Sequence, residues 1–424
     1  MPSKAQPSRG RYEQRLWQPS GNYGGGRRHR RPQRIDAFVP DPVADWDPRL
    51  SAGVAAMTTE ADLAVQELDR RAPAVPGLEA LARQLLRQES VGSSRIEGLR
   101  MGQRRLARAA SGAGADETAR QIVGNVAAME KAIELAAEPR ELTVDDVIEI
   151  HRTLLDATRD THLAGIVRDE QNWIGGSDFS PAGAEFIPPP PDAVGHLLTD
   201  LVAFLGRDDL SPTLQAAIAH AQFETIHPFA DGNGRVGRCL IHVVYRRRGL
   251  AQNVVPPVSL VLAARGDAYV AGLGDFRFRD GADWLSFFSD AVVAGVEHAT
   301  SLAERIEQLS ERWLAKLGNP RADASIRTLA EQLPAEPIVT VARAMEIAGV
   351  SRPAAARAID GLVEQGILRP LDDRERNRHW EAPDVFALLD DFERDLLRQL
   401  RTSTSKRLRH ASGASCPAGA RASP

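Results

Sequence analysis

Apolar side chains recur every three or four residues along most of this chain, and that spacing places them on one face of an α-helix. The pattern predicts helices over residues 61–69, 78–86, 119–136, 144–155, 194–205, 213–226 and 236–247, and one or two long helices over 284–313. The alternation of apolar and polar residues that is typical of strands is scarce, and no repeat of about 20–50 residues is present. We therefore expect a mainly α-helical fold.

Composition changes at both ends of the chain and again near residues 318–320. Residues 1–35 are rich in glycine and arginine, and residues 401–424 are rich in serine, alanine, glycine and arginine. Neither segment can bury enough apolar surface to offset the entropy of ordering, so both are predicted to be disordered tails. The Gly-Asn-Pro sequence at 318–320 predicts a boundary between a helical body and a C-terminal region, residues 319–400.

The C-terminal region has the pattern of a winged helix-turn-helix. A short helix over residues 341–347 is followed by a turn, with Ser351 as N-cap, and by a second helix. A charged hairpin over residues 372–378 comes next. Arg352 and Arg357 would face outward on the second helix, where they could contact DNA. A helical module for protein interaction or dimerisation has the same pattern, so both interpretations stay open.

Composition and charge exclude several classes of protein. The 424 residues carry 53 Lys and Arg against 57 Asp and Glu, so no overall basic field of a nucleic-acid coat protein is present. Two cysteines, Cys239 and Cys416, are too few for a disulfide framework and predict a reducing, cytoplasmic location. No apolar run approaches the roughly 20 residues of a membrane span, and the polar N-terminus lacks the apolar core of a signal peptide.

Residues 227–238, with the sequence HPFADGNGRVGR, join the end of one predicted helix to the start of the next. Gly232 and Gly234 let the backbone bend and approach a ligand closely. The unpaired N–H groups at the start of the second helix attract anions. Arg235 and Arg238 add donors that suit phosphate oxygens. The segment therefore predicts a phosphate site.

The same segment carries a carboxylate and a base. Asp231 supplies an oxygen of the kind that Mg²⁺ prefers when it also holds phosphates. His227 can accept a proton near neutral pH. The chain contains no Gly-x-x-x-x-Gly-Lys-Ser/Thr motif, so the site is not a P-loop. Together these groups indicate phosphoryl or nucleotidyl transfer rather than packing.

Residues 227–238 resemble the signature of Fic domain proteins, His-Pro-Phe-x-Asp-Gly-Asn-Gly-Arg-x-x-Arg, without departure. The resemblance implies a Fic-type helical bundle over residues 111–318, preceded by an N-terminal extension over residues 36–110, that binds ATP and Mg²⁺ and transfers AMP to a Ser, Thr or Tyr hydroxyl of a target protein. It implies that His227 deprotonates the target hydroxyl and that Asp231 holds Mg²⁺. The ATP-binding residues that it implies are Gly232, Asn233, Gly234, Arg235, Val236, Gly237 and Arg238.

Residues 168–176, followed by Phe186, Ile187 and a run of prolines, resemble the small β-hairpin flap of the family. In the family the flap covers the active site and pairs its edge with the target chain through backbone hydrogen bonds. The docking residues that the resemblance implies are Gln171, Asn172, Trp173, Ile174 and Gly175. An ordinary surface hairpin, with Trp173 in the core, is the alternative.

Residues 93–98, Ser-Ser-Arg-Ile-Glu-Gly, resemble the inhibitory motif of the family. The resemblance implies that Ser93, Glu97 and Gly98 form this motif and that Glu97 makes a buried ion pair with Arg238. Such a pair would take from ATP the donor that grips its γ-phosphate. The alternative is a glutamate on a helix surface.

Tyr269 aligns with the second residue of a Tyr-Tyr pair near which the family seats adenine. The first position of the pair is Ala268 in this chain, so the base pocket is less well defined. Tyr269 could equally belong to the core.

The function expected from the resemblance is an autoinhibited protein adenylyltransferase that modifies a target protein or itself. The same site could use another donor, or could remove AMP with Glu97 positioning a water molecule. A DNA-binding transcriptional regulator, whose Fic domain only senses nucleotide, is an alternative from another class. The resemblance also allows a homodimer, and no membrane partner is expected.

Overall fold

The computed structural model describes residues 9–19, 31–72, 78–112, 115–177, 179–371, 378–395 and 398, and this part of the chain is mainly helical. The helices of the body are α1 (Ala52–Arg71), α2 (Leu78–Ile96), α3 (Gln103–Ala110), α4 (Glu117–Ala137), α5 (Val144–Leu155), α6 (Pro191–Leu205), α7 (Pro212–Ile226), α8 (Asn233–Arg247), α9 (Val258–Ala264), α10 (Gly266–Phe278) and α11 (Ala282–Lys316). The prediction of a mainly α fold is confirmed, and the long helical segment is one helix, α11.

Helix α7 lies at the centre of the body, because every residue from Thr213 to Ile226 is buried. It packs against α6, α8 and α11. Trp284 of α11 donates from Nε1 to the carbonyl of Ala217 at 3.0 Å. Since α7 is enclosed, the loop that follows Ile226 starts from a fixed position.

Local signals in the sequence set the helix ends on either side of this loop. Ser211 caps α7 by accepting a hydrogen bond from the backbone N–H of Leu214, and Pro212 occupies the first turn. Helix α7 ends at His227, which has a left-handed backbone with φ 51°. Helix α8 starts after Gly232, whose φ is 81°. Two left-handed residues thus frame a tight loop between two buried helices.

An N-terminal hairpin lies beside the body. Strand β1 (Gly10–Trp17) pairs antiparallel with strand β2 (Gln33–Pro40) over their whole lengths. Phe38 is buried, and its backbone N–H donates to the carbonyl of Ile187 at 2.9 Å. The ring of Phe38 also contacts Phe186 and Phe278, with centroids 5.9 and 5.5 Å away.

The prediction of a disordered tail over residues 1–35 is wrong for strand β1 and for the start of β2. Contacts with distant parts of the chain order these strands, and the glycine- and arginine-rich sequence between them concealed that in the local pattern. Residues 1–8 and 20–30 of the predicted tail lie outside the described residues, as does the predicted tail at 401–424.

The C-terminal region contains helices and a small sheet. Its elements are α12 (Ser325–Gln332), β3 (Ile338–Val339), α13 (Val341–Ala348), α14 (Arg352–Glu364), β4 (Arg369–Pro370) and β5 (Trp380–Glu381). The strands form an antiparallel sheet in the order β3-β5-β4, and a further helix covers residues 383–395. Ser351 is the N-cap of α14, as predicted, but its side chain makes no capping hydrogen bond. Residues 372–377 of the expected hairpin lie outside the described residues, and the winged helix-turn-helix stays a prediction.

Helix α11 ends near the expected boundary, where Gly318 and Asn319 both have positive φ values of 74° and 52°. The apolar core nevertheless continues across this turn, because Leu329, Ile359 and Phe392 belong to the same buried cluster as the body. Within the described part of the chain, no helix has the length and apolar character needed to cross a membrane.

Candidate active site

The loop between α7 and α8 is held closed by the side chain of Asn233 and by close packing against neighbouring residues. Asn233 accepts from the backbone N–H of Phe229 and donates to the carbonyl of the same residue, both at 2.8 Å. A Cβ on Gly232 would lie 2.9 Å from Leu154 and would also meet His151. Asn233 therefore fixes the shape of the loop with its side chain, and its predicted role in binding ATP stays a prediction. Its backbone N–H stays at the start of α8.

His151 of helix α5 packs against the loop and holds it through a hydrogen bond. It was not among the site residues predicted from the sequence. Its ring stacks on Phe229 at a centroid distance of 3.7 Å, and Nε2 donates to the carbonyl of Asp231 at 3.0 Å. Its Nδ1 accepts from the backbone N–H of Gly165. Burial lowers the pKa of His151 to about 4, so the ring is neutral, as this donor and acceptor pattern requires. The one signal in the sequence was a histidine on the apolar face of α5.

His227 lies at the C-terminal end of α7 and is partly buried. Its carbonyl accepts from Nε of Arg168 at 2.8 Å and from Asn172 at 3.4 Å. Burial lowers the pKa of His227 to about 3, and the positive charges of Arg277 and Arg168 lower it further. The ring is therefore neutral near pH 7 and can accept a proton.

The start of α8 forms an anion site with Arg235. This side chain is buried, and its Nη2 donates to Oδ2 of Asp231 at 2.9 Å. Its Nε and Nη1 have no hydrogen-bond partner among the residues that the structure describes. Buried guanidinium donors without acceptors are costly, so an anion with several oxygens would complete them.

Arg238 is the second arginine of the loop, and it is 1% exposed. Its Nε donates to Oγ of Ser93 at 2.9 Å, and Nη2 donates to the carbonyl of Ser93 at 3.0 Å. Nη2 also donates to Oε1 of Glu97 at 2.7 Å, so the predicted contact between Glu97 and Arg238 is present. A Cβ on Gly234 would collide with Oε1 of Glu97, which places this carboxylate directly above the first turn of α8.

The Glu97–Arg238 pair is buried on the arginine side only, because the Glu97 side chain is 38% exposed. Burial raises the pKa of Glu97, but the charge and the hydrogen bond of Arg238 and the charge of Arg235 outweigh that effect, so the pKa lies below its usual value. Glu97 is thus ionised at neutral pH. It lies near Arg235, Arg238 and His227, three residues that the sequence predicts for the phosphate site and the base.

Gly98 sets the position of Glu97 by ending helix α2. Its φ is 78°, and its N–H donates to the carbonyl of Arg95 at 3.0 Å. The N–H of Leu99 donates to the carbonyl of Ser94 at 3.0 Å. These two bonds form a Schellman motif, in which a left-handed glycine satisfies the last carbonyls of the helix. The side chain of Glu97 therefore projects from the very end of α2.

The predicted flap is present beside the loop. Ile174 and Phe186 form an antiparallel bridge, with the N–H of Ile174 donating to the carbonyl of Phe186 at 2.9 Å. Asn172 donates to the carbonyl of Phe229 at 3.1 Å, and Trp173 packs edge-on against Trp17 of β1. The docking residues implied by the resemblance, Gln171, Asn172, Trp173, Ile174 and Gly175, all lie in this segment and are partly or fully exposed.

A groove of about 440 Å³ separates the flap from the loop. It is lined by Leu163, Ile166, Ala230 and the residues from Arg168 to Trp173. Ile166 is 55% exposed, so one wall of the groove is apolar and open. The groove has room for an extended chain that runs along the flap and past Ala230 of the loop.

Three residues that were predicted to bind ATP, Val236, Gly237 and Tyr269, are buried in the core next to the loop. Val236 is fully buried in the core, and its N–H donates to the carbonyl of Gly232 within the helix. Gly237 packs against Phe223, and Tyr269 is 4% exposed, with its hydroxyl 2.9 Å from Nε2 of His220. Tyr269 therefore presents no open face to a base here, and the core alternative describes it.

Two buried charged residues near the loop were not predicted. Arg277 of α10 stacks over the ring of Phe186 at 4.1 Å and donates to the carbonyl of Glu224 at 3.2 Å. Glu224 itself is buried, and burial raises its pKa to about 7, against the opposing charge of Arg238. Neither residue stands in a recognisable motif, and only the folded chain brings them to the loop.

Among the described residues, no group of three or more His, Cys, Asp and Glu side chains could hold a metal ion without other ligands. Asp231 is half-exposed at the edge of the anion site. A Mg²⁺ ion held there would need phosphate oxygens or water to complete its shell. The donor set therefore suits a metal that arrives with a nucleotide.

Residues 141–245 match the model of the Fic/DOC family, and residues 55–134 match the model of the Fic/DOC family N-terminal region. Protein adenylyltransferase fic-1 of Caenorhabditis briggsae is 35% identical over 150 residues, which cover 34% of this chain and 27% of that protein. Protein adenylyltransferase Fic of Drosophila erecta is 31% identical over 164 residues, which cover 37% of this chain and 30% of that protein. The chain thus spans less than a third of the length of these curated relatives.

A solved Fic family protein from Desulfovibrio desulfuricans has a similar fold. The two chains superpose with a TM-score of 0.50 at 21% identity, over 80% of this chain and 98% of the other. The likeness supports the fold of the body.

Proposed function

Since the segments 55–134 and 141–245 make this chain a member of the Fic/DOC family, we propose that it is a protein adenylyltransferase. It transfers AMP from ATP to a Ser, Thr or Tyr hydroxyl of a target protein or of itself. The observation that carries this proposal is the loop 227–238, where a neutral histidine, a carboxylate and an arginine with unpartnered donors meet at the start of a helix.

In this reaction His227 takes the proton of the target hydroxyl. The oxygen then attacks the α-phosphorus of ATP, and the bond from that phosphorus to the bridging oxygen of the β-phosphate breaks. The products are AMP bonded to the target and pyrophosphate. The negative charge of bound ATP raises the pKa of His227 from its low value and improves it as a base.

The residues present fit a triphosphate. Arg235 holds two buried donors without acceptors, and the N–H groups at the start of α8 face the same place. The carboxylate of Glu97 lies at that place and contacts Arg238, which supports a site for negative charge. Transfer at such a site depends on positioning and on stabilising spread negative charge.

Asp231 would hold Mg²⁺, because its carboxylate lies beside the phosphate donors at the edge of the loop. A bound Mg²⁺ would neutralise charge on the phosphates. Arg235 positions the carboxylate of Asp231 through their hydrogen bond at 2.9 Å.

The chain is autoinhibited in this conformation. Ser93 and Glu97 accept the hydrogen bonds of Nε and Nη2 of Arg238, and the Glu97 carboxylate lies against Gly234 in the first turn of α8. A γ-phosphate that binds Arg238 would therefore have to displace this carboxylate. Removing one partner of such a pair leaves a buried charge that seeks another anion. Replacing Glu97 by glycine should therefore increase ATP binding and AMP transfer.

The flap and its groove would receive the target. The groove has an open apolar wall at Ile166, and the edge of the flap is partly exposed from Gln171 to Gly175. Backbone pairing along this edge would place a hydroxyl near His227 with little demand on the target sequence. We place the activity in the cytoplasm, where a buried free thiol such as Cys239 stays reduced.

The test is incubation of the purified chain and of its Glu97→Gly variant with labelled ATP and Mg²⁺. Label should enter protein more rapidly with the Glu97→Gly variant, and His227→Ala should abolish it. His196→Ala is the matched control, because His196 is exposed on α6 away from the loop. Equal rates for the His227→Ala and His196→Ala variants would contradict the assignment of the base.

DNA binding by the C-terminal region is a second candidate function. Arg352 and Arg357 are exposed on α14, and no described carboxylate forms a salt bridge with either. Phosphate contacts release counterions, so binding to a DNA duplex should weaken steeply with salt. A band-shift assay with the Arg352→Ala and Arg357→Ala variants tests this. Absence of a shift at low salt would exclude it.

A further inference from the structure

Helix α2 carries Ser93 in its last turn, and Glu97 follows directly after its end. Its outer side contacts the C-terminal module, by which we mean the described residues between 325 and 395. We propose that this module is a latch that holds α2 in the blocking position, so that displacement of the module releases Glu97 from Arg238. The proposal rests on adenylyl transfer as the function of the site, and it adds a regulator of that site.

The first set of contacts lies near the start of α2. Gln84 is 1% exposed, and its Nε2 donates to the carbonyl of Pro334 at 2.5 Å. Arg87 donates from Nη1 to the carbonyl of Ala335 at 2.6 Å. Arg83 forms an ion pair with Glu336 at 2.6 Å. Three residues within two turns of α2 therefore bind one short segment of the module.

The second contact lies in the last turn of α2. Nη2 of Arg95 is 2.5 Å from Oε1 of Glu393, and their side chains are only 19% and 25% exposed. Arg95 stands two residues before Glu97 in the chain. The module thus binds the same helical turn that presents the inhibitory carboxylate, but from another side.

The helix is anchored in its middle independently of the module. Glu89 is fully buried, and its carboxylate accepts from Nε2 of His242 at 2.9 Å and from the N–H of Ser259 at 2.7 Å. Gly92 packs so closely against the backbone of Leu260 that a Cβ would lie 2.5 Å from its nitrogen. Motion of α2 would therefore be confined to its ends.

Both ends of α2 have room to respond when the module leaves. A cavity of about 360 Å³ lies between the first half of α2 and helices α4 and α8, lined on the α2 side by Ala82, Leu86 and Arg87. At the other end, Glu97 and Gly98 lie beyond the helix and are exposed. Ser94 is fully buried and accepts from Nδ2 of Asn125 at 3.0 Å, so the freedom at this end is limited to the residues that follow it. The ion pair between Arg95 and Glu393 acts on this short stretch.

A charge exchange tests the latch. Glu393→Arg places like charges together and should loosen the last turn of α2, and so should Arg95→Glu. The double variant restores an opposite pair with reversed charges and should return toward the original behaviour. Arg394→Glu is the matched control, because Arg394 is exposed on the same helix and pairs with Asp391.

The first measurement is hydrogen exchange of the backbone amides between residues 91 and 99, which needs no enzymatic activity. We expect about three- to tenfold faster exchange in the Glu393→Arg variant, in line with loss of a partly buried ion pair, and recovery in the double variant. Unchanged exchange in both single variants would overturn the latch, whatever the activity of the chain.

The second measurement is AMP transfer from labelled ATP. Glu393→Arg should raise the rate in the original chain but have no further effect in the Glu97→Gly background, where no inhibitory carboxylate remains to be released. A fall in rate in the Glu97→Gly background would contradict the latch and indicate a structural role for Glu393. Faster exchange without any AMP transfer, even in the Glu97→Gly chain, would contradict the proposed function alone.

Discussion

The contact between Glu97 and Arg238 predicts a measurable gain in ATP affinity when its charge is removed. At an effective dielectric constant of about 20, two unit charges about 4 Å apart attract by about 4 kcal/mol. Glu97 keeps 38% of its side chain exposed, so solvent screens the pair. After this screening, about 1–2 kcal/mol should remain. Glu97→Gln keeps the size of the side chain and loses its charge, so ATP should bind about 5- to 30-fold more tightly.

Isothermal titration with ATP and Mg²⁺ measures this gain directly. Glu97→Gly also removes the atoms above Gly234 and should give a larger gain than Glu97→Gln. Glu60→Gln is the control, since Glu60 is exposed on α1. Equal ATP affinity for the original chain and the Glu97→Gln variant, with a gain for Glu97→Gly alone, would refute the electrostatic reasoning and leave a purely steric block.

Three further predictions concern the same site. Arg277→Met removes a positive charge that lowers the pKa of His227, so this pKa should rise. In the Glu97→Gly background, the acid limb of the pH–rate profile should therefore move to higher pH. An acid limb at the same pH would contradict the effect of Arg277 on His227. Asn233→Ala leaves the buried N–H of Phe229 unpaired, whereas the carbonyl of Phe229 keeps Asn172 as a donor. The change should cost about 1–3 kcal/mol in urea unfolding, and a loss below about 0.5 kcal/mol would contradict this role of Asn233. The pKa of Glu97 is lower in the folded chain than in the unfolded chain, so its ionic contact with Arg238 is fully present above the unfolded pKa and is lost only as the pH falls through the folded pKa. The ATP affinity of the original chain should therefore stay low from about pH 5 to 8. A rise in affinity within that range would contradict this assignment.

The helices of the body could be predicted from the sequence because their apolar faces repeat with the helical period. Helix α5 covers the residues of the predicted segment 144–155, and α7 and α8 differ from their predicted ranges only at their starts. Neither β1 nor β2 alternates regularly between buried and exposed residues, and residues 37–40 of β2 are all buried. Burial of Phe38 depends on Phe186 and Phe278, which lie far away in the chain. A local pattern cannot contain such contacts.

The candidate site was predictable where its residues form one short segment, as from His227 to Arg238. The supporting residues His151, Arg168 and Arg277 come from three other elements, and each acts through buried hydrogen bonds that only the folded chain brings together. The sequence also did not predict that the side chain of Asn233 holds the loop closed through two hydrogen bonds with Phe229, because that contact depends on how the loop folds.

The central claim is that the loop 227–238 transfers AMP once Glu97 no longer occupies it. The most direct measurement compares the Glu97→Gly chain incubated with ATP labelled at the α-phosphorus and with ATP labelled at the γ-phosphorus. We predict that the α-label alone enters protein and that adding His227→Ala abolishes its entry. Entry of the γ-label, or entry of the α-label without His227, would contradict the claim.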